Sequence, residues 1–189
     1  MRSVLQGAKA LCVVAVLGCG GAKDSTSARF TAPEMSRAEE VSSSAGAQVT
    51  GDIAILLPGF DNALEQYSVS AIRHRDGSVS GELEEKSEQQ GGQHIHARLV
   101  CVTVTGNSAR LAARLEKSNV PFGPVGSYVV WSVIDNGNGK AHPDQTTDIF
   151  FGATEANAEF HCATGFNLAP YFNSVRGNLE VGTDRDDDR

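Results

Sequence analysis

Between positions 49 and 181 the apolar residues recur mostly at every second position, the period of strands with one buried face, with no sustained helical spacing. In "YSVSAIRHRDGSVSGEL" the apolar set is Tyr67, Val69 and Ala71 before the turn and Val79, Gly81 and Leu83 after it, all odd-numbered. A two-residue Asp76-Gly77 loop would pair odd with even positions and turn one strand's apolar side outward. A three-residue loop, Arg75-Asp76-Gly77, with Gly77 left-handed in a bulge, keeps the faces together and predicts Val69 opposite Leu83 and Ala71 opposite Gly81. The same test on "HARLVCVTVTGNSARLAARL" makes Ala97, Leu99 and Cys101 inward on one strand and Leu111, Ala113 and Leu115 inward on the next. A loop of Thr105-Gly106-Asn107, with Asn107 left-handed, then pairs Cys101 with Leu111 and leaves Arg110, Arg114 and Glu116 facing water. Val100, Val102 and Val104 fall on the other face, so this strand is apolar on both sides near its end and calls for a cover.

Further strands are predicted at 49–57, 127–134, 144–151 and 177–181, with a turn or two of helix at 153–161. Trp131 shares parity with Val129 and Val133, which places the one tryptophan in the core. The predicted fold is all-β, a small antiparallel β-barrel or closed sandwich of about eight strands. Closure sets "GNLEV" beside "VTGDIAI" and removes exposed edges.

The first eighteen residues have a different character. Arg2 and Lys9 precede an apolar run over 10–17 that only Cys12 interrupts, the layout of an export signal and too short to span a bilayer stably. Its end, Val16-Leu17-Gly18-Cys19, resembles the lipobox of bacterial lipoproteins, which implies cleavage before Cys19 and a diacylglycerol on its sulfur. Lys9 stands at the start of the motif that would serve Cys12. The alternative is an ordinary secretory signal that contains a cysteine. Positions 19–48 are small and polar with scattered single hydrophobes and one short helical patch at 33–41, so they read as the lipidated anchor and a disordered tether. The β domain then covers 49–182, and the acid-rich 183–189 is a solvated charged tail. Gly20 after the anchor favours outer-membrane sorting in a cell with two membranes.

Cysteine usage bears on the compartment. Export removes Cys12 and lipidation uses Cys19, which leaves Cys101 and Cys162 as a pair in an oxidising environment and predicts one disulfide, the alternative being two separate buried thiols. Loss of the signal also removes two of the 16 basic residues and none of the 23 acidic ones, leaving 14 against 23 and a net charge of −9. That sign argues against nucleic acid as a partner and against polybasic attachment to anionic lipid, so membrane contact would come from acyl chains.

Candidate chemistry is sparse. The loop "DNGNGKAHPDQTTD" gathers oxygen ligands, Asp135, Asn138 and Asp144 among them, that suit calcium. It lacks the acidic positions of an EF-hand, and Thr146 stands where that motif has Glu, so a long turn is the competing reading. His94 and His96 share a strand face with Glu82 or Glu84 on the neighbouring strand, a set able to hold zinc with an open position, but no third histidine is fixed by spacing, and an outer polar face at a strand start is the competing reading. No Gly-x-Ser-x-Gly elbow, phosphate-cradling turn or free cysteine nucleophile is present, and no cofactor is implied.

"RHRDGSVSGEL", "GNSARLAARL", "VVWSVIDNGNG" followed by "PDQ", then "CATG" and "RGNLEV", together resemble an uncharacterised family of exported bacterial β-rich proteins. The resemblance implies a small antiparallel β domain behind a signal or lipobox, with no established activity. The functional expectation is a non-catalytic structural or interaction module, anchored to the membrane by lipid and meeting an envelope protein. The alternative is a lipocalin-like carrier holding a small apolar ligand in the barrel.

Overall fold

A computed structural model describes residues 46–88, 92–137 and 141–183. The expected signal, the anchor at Cys19, most of the tether and most of the tail lie outside the described residues, as does Asn138. The described chain is all-β apart from one α-helix and a 3-10 turn at Pro58–Phe60. Its strands are β1 (Ala47–Leu57), β2 (Ala63–Arg73), β3 (Val79–Ser87), β4 (Gln93–Thr105), β5 (Ser108–Ser118), β6 (Tyr128–Ile134), β7 (Gln145–Thr147), β8 (Phe150–Ala153), β9 (Tyr171–Asn173) and β10 (Arg176–Thr183). They form one curled, barrel-like antiparallel sheet in the order β10-β1-β2-β3-β4-β5-β6-β7-β9, with β8 added against β6. The last strand does lie beside the first, Val181 opposite Val49 and Leu179 opposite Gly51.

The β2–β3 hairpin follows the alternation closely. Val69 faces Leu83 and Ala71 faces Gly81. His74 closes the turn by donating to the Ser78 carbonyl, and Gly77 takes φ +85° within the three-residue loop. Its apolar face joins a contiguous core that gathers Ile55, Leu57, Leu83, Ile95, Leu111, Leu115 and Leu179 around Trp131.

The β4–β5 hairpin departs from expectation at one residue. Ala97 pairs with Leu115 and Leu99 with Ala113 as the parity requires, but a bulge at Val100 then shifts the register. Cys101 pairs with Ala112 instead of Leu111, and Leu111 pairs with Val102. Cys101 therefore leaves the main core, while Val102 and Val104 enter it. The turn is correspondingly two residues long, Thr105 opposite Ser108, with Gly106 at φ +61° and Asn107 outside the left-handed region. Glycine first and a right-handed residue second is the II′ arrangement that suits strand twist.

The cover this strand needed is a ten-residue helix, α1 (Glu155–Thr164), longer than the turn or two expected. Thr154 opens it with a reciprocal cap: its hydroxyl accepts from the Asn157 amide, and the Asn157 side chain accepts from the Thr154 amide. Ala158 and Cys162 pack with Ala112 and Val130 on the face of the sheet opposite Trp131. The Cys101–Cys162 disulfide joins this helix to β4, with Cα atoms 6.4 Å apart. Arg110, expected to face water, lies on the predicted face but is half-buried beneath the helix end, donating to the Cys162 carbonyl at 2.9 Å. A guanidinium there meets the carbonyl-rich, negative end of the helix dipole.

The strand expected at 144–151 is interrupted by Asp148 and Ile149, giving β7 and β8, and β9 is a further short strand. β9 pairs with β7, and two residues later the same stretch of chain pairs with β1 as β10. Along β10 the amides of Leu179 and Val181 point away from β1. They donate to carboxylates, Leu179 to Asp144 Oδ2 at 2.7 Å and Val181 to Asp135 Oδ2 at 3.0 Å. Side chains following β6 thus occupy the edge that an exposed strand would present.

Candidate functional site

The described residues among those singled out for metal chemistry are engaged elsewhere. Besides Leu179, Asp144 accepts from the Asn136 amide at 2.9 Å, and besides Val181, Asp135 accepts from the Gly137 amide at 2.7 Å. All four carboxylate oxygens of Asp135 and Asp144 thereby hold backbone. His94 and His96 do share the outward face, but their Nε2 atoms reach different carboxylates, Glu84 at 3.0 Å and Glu82 at 3.1 Å. Lys86, 2.9 Å from Glu84, and Arg98, 2.7 Å from Glu116, extend this into a lattice of paired charges, and the Lys86 hydrogen bond holds the Glu84 carboxyl below its usual range. Among the described residues no group of three His, Cys, Asp or Glu side chains is placed to hold a metal ion.

His161 has a structural posting. It is fully buried, its Nε2 lies 2.9 Å from the Trp131 carbonyl, and its Nδ1 accepts from the Phe166 amide at 3.1 Å. Burial pushes its pKa down, which keeps it a neutral imidazole with one donating and one accepting nitrogen.

The chemically distinctive region is one end of the sheet's core. Following the odd parity outward from Tyr67 and Leu83 leads to Glu65 on β2 and Glu85 on β3, and both are almost completely buried, at 2% and 1% exposed. Pairing explains their meeting: Tyr67 lies opposite Glu85, and Glu65 opposite Ser87, so the two glutamates are diagonal neighbours on one face. Gln93 continues the row on β4, and Asp148 approaches from the joint between β7 and β8. A cavity of about 240 Å³ opens here, with Glu65, Gln93 and Asp148 on its wall and the rings of Phe60, Phe122 and Phe151 around it. Phe122 and Phe151 meet edge to face, ring centres 5.3 Å apart.

No protein-family model, curated protein or solved structure matches the chain. The site must therefore be read from its own chemistry. Desolvation, reinforced by the charges of Asp148 and Glu85, pushes the Glu65 carboxyl up to about 9. Desolvation likewise raises Glu85 to about 7 and Asp148 above its ordinary range, and drives the Tyr67 hydroxyl well up. Glu65 Oε2, both Glu85 oxygens, the Tyr67 hydroxyl and Gln93 Nε2 are buried and make no hydrogen bond of ordinary length, although Glu65 lies close enough to Tyr67 and Glu85 to interact with both. At neutral pH Glu65 keeps its proton, and such a carboxyl can donate a hydrogen bond or exchange the proton for another cation. In sequence, Glu65 and Glu85 lie one step beyond Tyr67 and Leu83 in the same parity, the signal that places them inside.

Proposed function

We propose that the chain is an exported, lipid-anchored protein of the bacterial cell envelope whose β domain is a non-catalytic structural or interaction module, akin to the exported β-rich proteins its turn motifs resemble. The observation that carries this reading is the packed core: the apolar side chains around Trp131 form one contiguous buried cluster. A carrier of an apolar molecule needs a ligand-sized apolar cavity in that place. A groove of about 390 Å³ elsewhere on the sheet is bordered largely by polar side chains, Asp52, Gln66, Ser68, Glu84, Lys86 and Arg176 among them. The Cys101–Cys162 bond supports an oxidising compartment. No helix among the described residues is long and apolar enough to cross a membrane. On this reading the attachment is Cys19, and the curled sheet is the wall of a closed barrel whose seam is bridged by Asp135 and Asp144.

Fractionation of cells making the full chain tests the proposal. The protein should partition with membranes and into detergent, and Cys19→Ala should release it or leave it unprocessed. Unchanged processing and detergent partitioning of that variant would contradict the anchor.

A further inference from the structure

We infer that the acidic cavity at the end of the core is a binding site for a small organic ammonium ion. Glu65 is 98% buried and borders the cavity with its Oε2 making no hydrogen bond of ordinary length, and Gln93, itself buried, borders it with an unpartnered Nε2. An ionisable group held in this way is stabilised by a ligand that brings the missing partner. The groups acting on Glu65 are Asp148, Glu85 and Tyr67, none of them cationic. Once Glu65 ionises, the counter-charge it lacks is a positive one.

Two observations select the kind of cation. Metal ions need several converging oxygens, and no group of three ligating side chains is so placed among the described residues. The cavity is instead bordered by the aromatic side chains of Phe60, Phe122 and Phe151, a kind of surface that attracts an alkylammonium. The cavity, about 240 Å³, is smaller than the roughly 300 Å³ at which sites begin to hold drug-sized ligands, so a headgroup of a few carbons around one nitrogen fits. The Gln93 carboxamide complements a hydroxyl or carbonyl beside the charge.

The exchange balances simply. The Glu65 carboxyl gives up its proton to buffer, and the carboxylate takes the ammonium ion as its counter-charge; no covalent bond forms. Because the free protein carries the proton and the complex does not, affinity rises with pH, about tenfold per unit while one proton is released. The site does not depend on the lipid anchor, so its failure would leave the envelope reading untouched.

Choline tests this, since its charge is the same at every pH, alongside its neutral isostere 3,3-dimethylbutan-1-ol. Calorimetric titration of the purified mature protein at pH 6, 7 and 8 should show choline binding that strengthens roughly tenfold per unit, with proton release seen as a buffer-dependent heat. The neutral isostere should bind at least tenfold more weakly. Glu65→Gln, which keeps the side chain's shape and the neutral state it already holds, should abolish the pH dependence and weaken choline at least tenfold without lowering the melting temperature, and Asp148→Asn should weaken it too. Absence of choline binding at millimolar concentrations at pH 8, equal binding of the neutral isostere, or unchanged binding by Glu65→Gln would each overturn the assignment.

Discussion

Stability of the β domain should fall as pH rises through neutrality, and the buried glutamates set the size of the effect. The unfolded chain releases these protons near the ordinary glutamate value of 4.5, whereas the folded chain keeps them until about 7 at Glu85 and about 9 at Glu65. Between those limits the native state binds more protons than the unfolded one, so the slope of unfolding free energy with pH is negative. Stability is full below 4.5 and is lost as pH climbs toward the folded values. One excess proton corresponds to about 1.4 kcal/mol per pH unit, hence about 3 kcal/mol between pH 5 and 7, with more if both carboxyls stay protonated over that span. That is a large share of the total for a single domain. Urea melts of the oxidised protein at pH 5, 6, 7 and 8 measure it directly. The double variant Glu65→Gln with Glu85→Gln should flatten the dependence and exceed the wild type in stability at pH 8. A parallel pH dependence in wild type and double variant would show that these carboxyls are not the buried, proton-holding pair described here.

Arg110→Ala should destabilise by about 1 to 2 kcal/mol in the same melts, because it strips the cation from the end of α1; an unchanged midpoint would place this arginine in solvent after all. Trp131→Ala should cost about 3 to 5 kcal/mol, the usual penalty for emptying a large core site, and a loss below that of Arg110→Ala would put the tryptophan outside the core. Reduction of Cys101–Cys162, which closes a separation of 61 residues, should lower stability by up to about 4 kcal/mol on the chain-entropy model, with hydrogen exchange rising first in α1. Asp144→Ala should cost upwards of about 2 kcal/mol by orphaning the Asn136 and Leu179 amides, and faster exchange at Leu179 would report it.

Much of the architecture was legible because strand alternation is strict wherever one face is polar. The β2–β3 register follows from parity alone, since Ser68, Ser70 and Ser80 leave one choice of buried side. Where the sequence reads Val100-Cys101-Val102-Thr103-Val104, both faces are apolar, and alternation cannot fix which one turns inward. The bulge at Val100 settles it, and the reason lies elsewhere in the chain: α1 covers the second face and takes Cys101 into its disulfide. That helix was underestimated because its contact surface is small, built on Ala158 and Cys162 with His161 between sheet and loop, so it carries little apolar periodicity. The carboxylates along β10 were legible in composition only. Asp135 and Asp144 do supply oxygen ligands, but to amides of β10 that lie far along the chain. The acidic cavity escaped notice because glutamate on an inward position runs against the pattern being sought, and such a departure is what a site for an ion would display.

The envelope reading is tested most directly by the intact mass of the protein isolated from native membranes without reduction. The expected species is a chain beginning at Cys19, heavier than its sequence by a diacylglycerol-bearing modification and lighter by the two hydrogens lost on joining Cys101 to Cys162. A chain that retains residues 1–18, or one that begins near there with an unmodified Cys19 and two free thiols at 101 and 162, would contradict it.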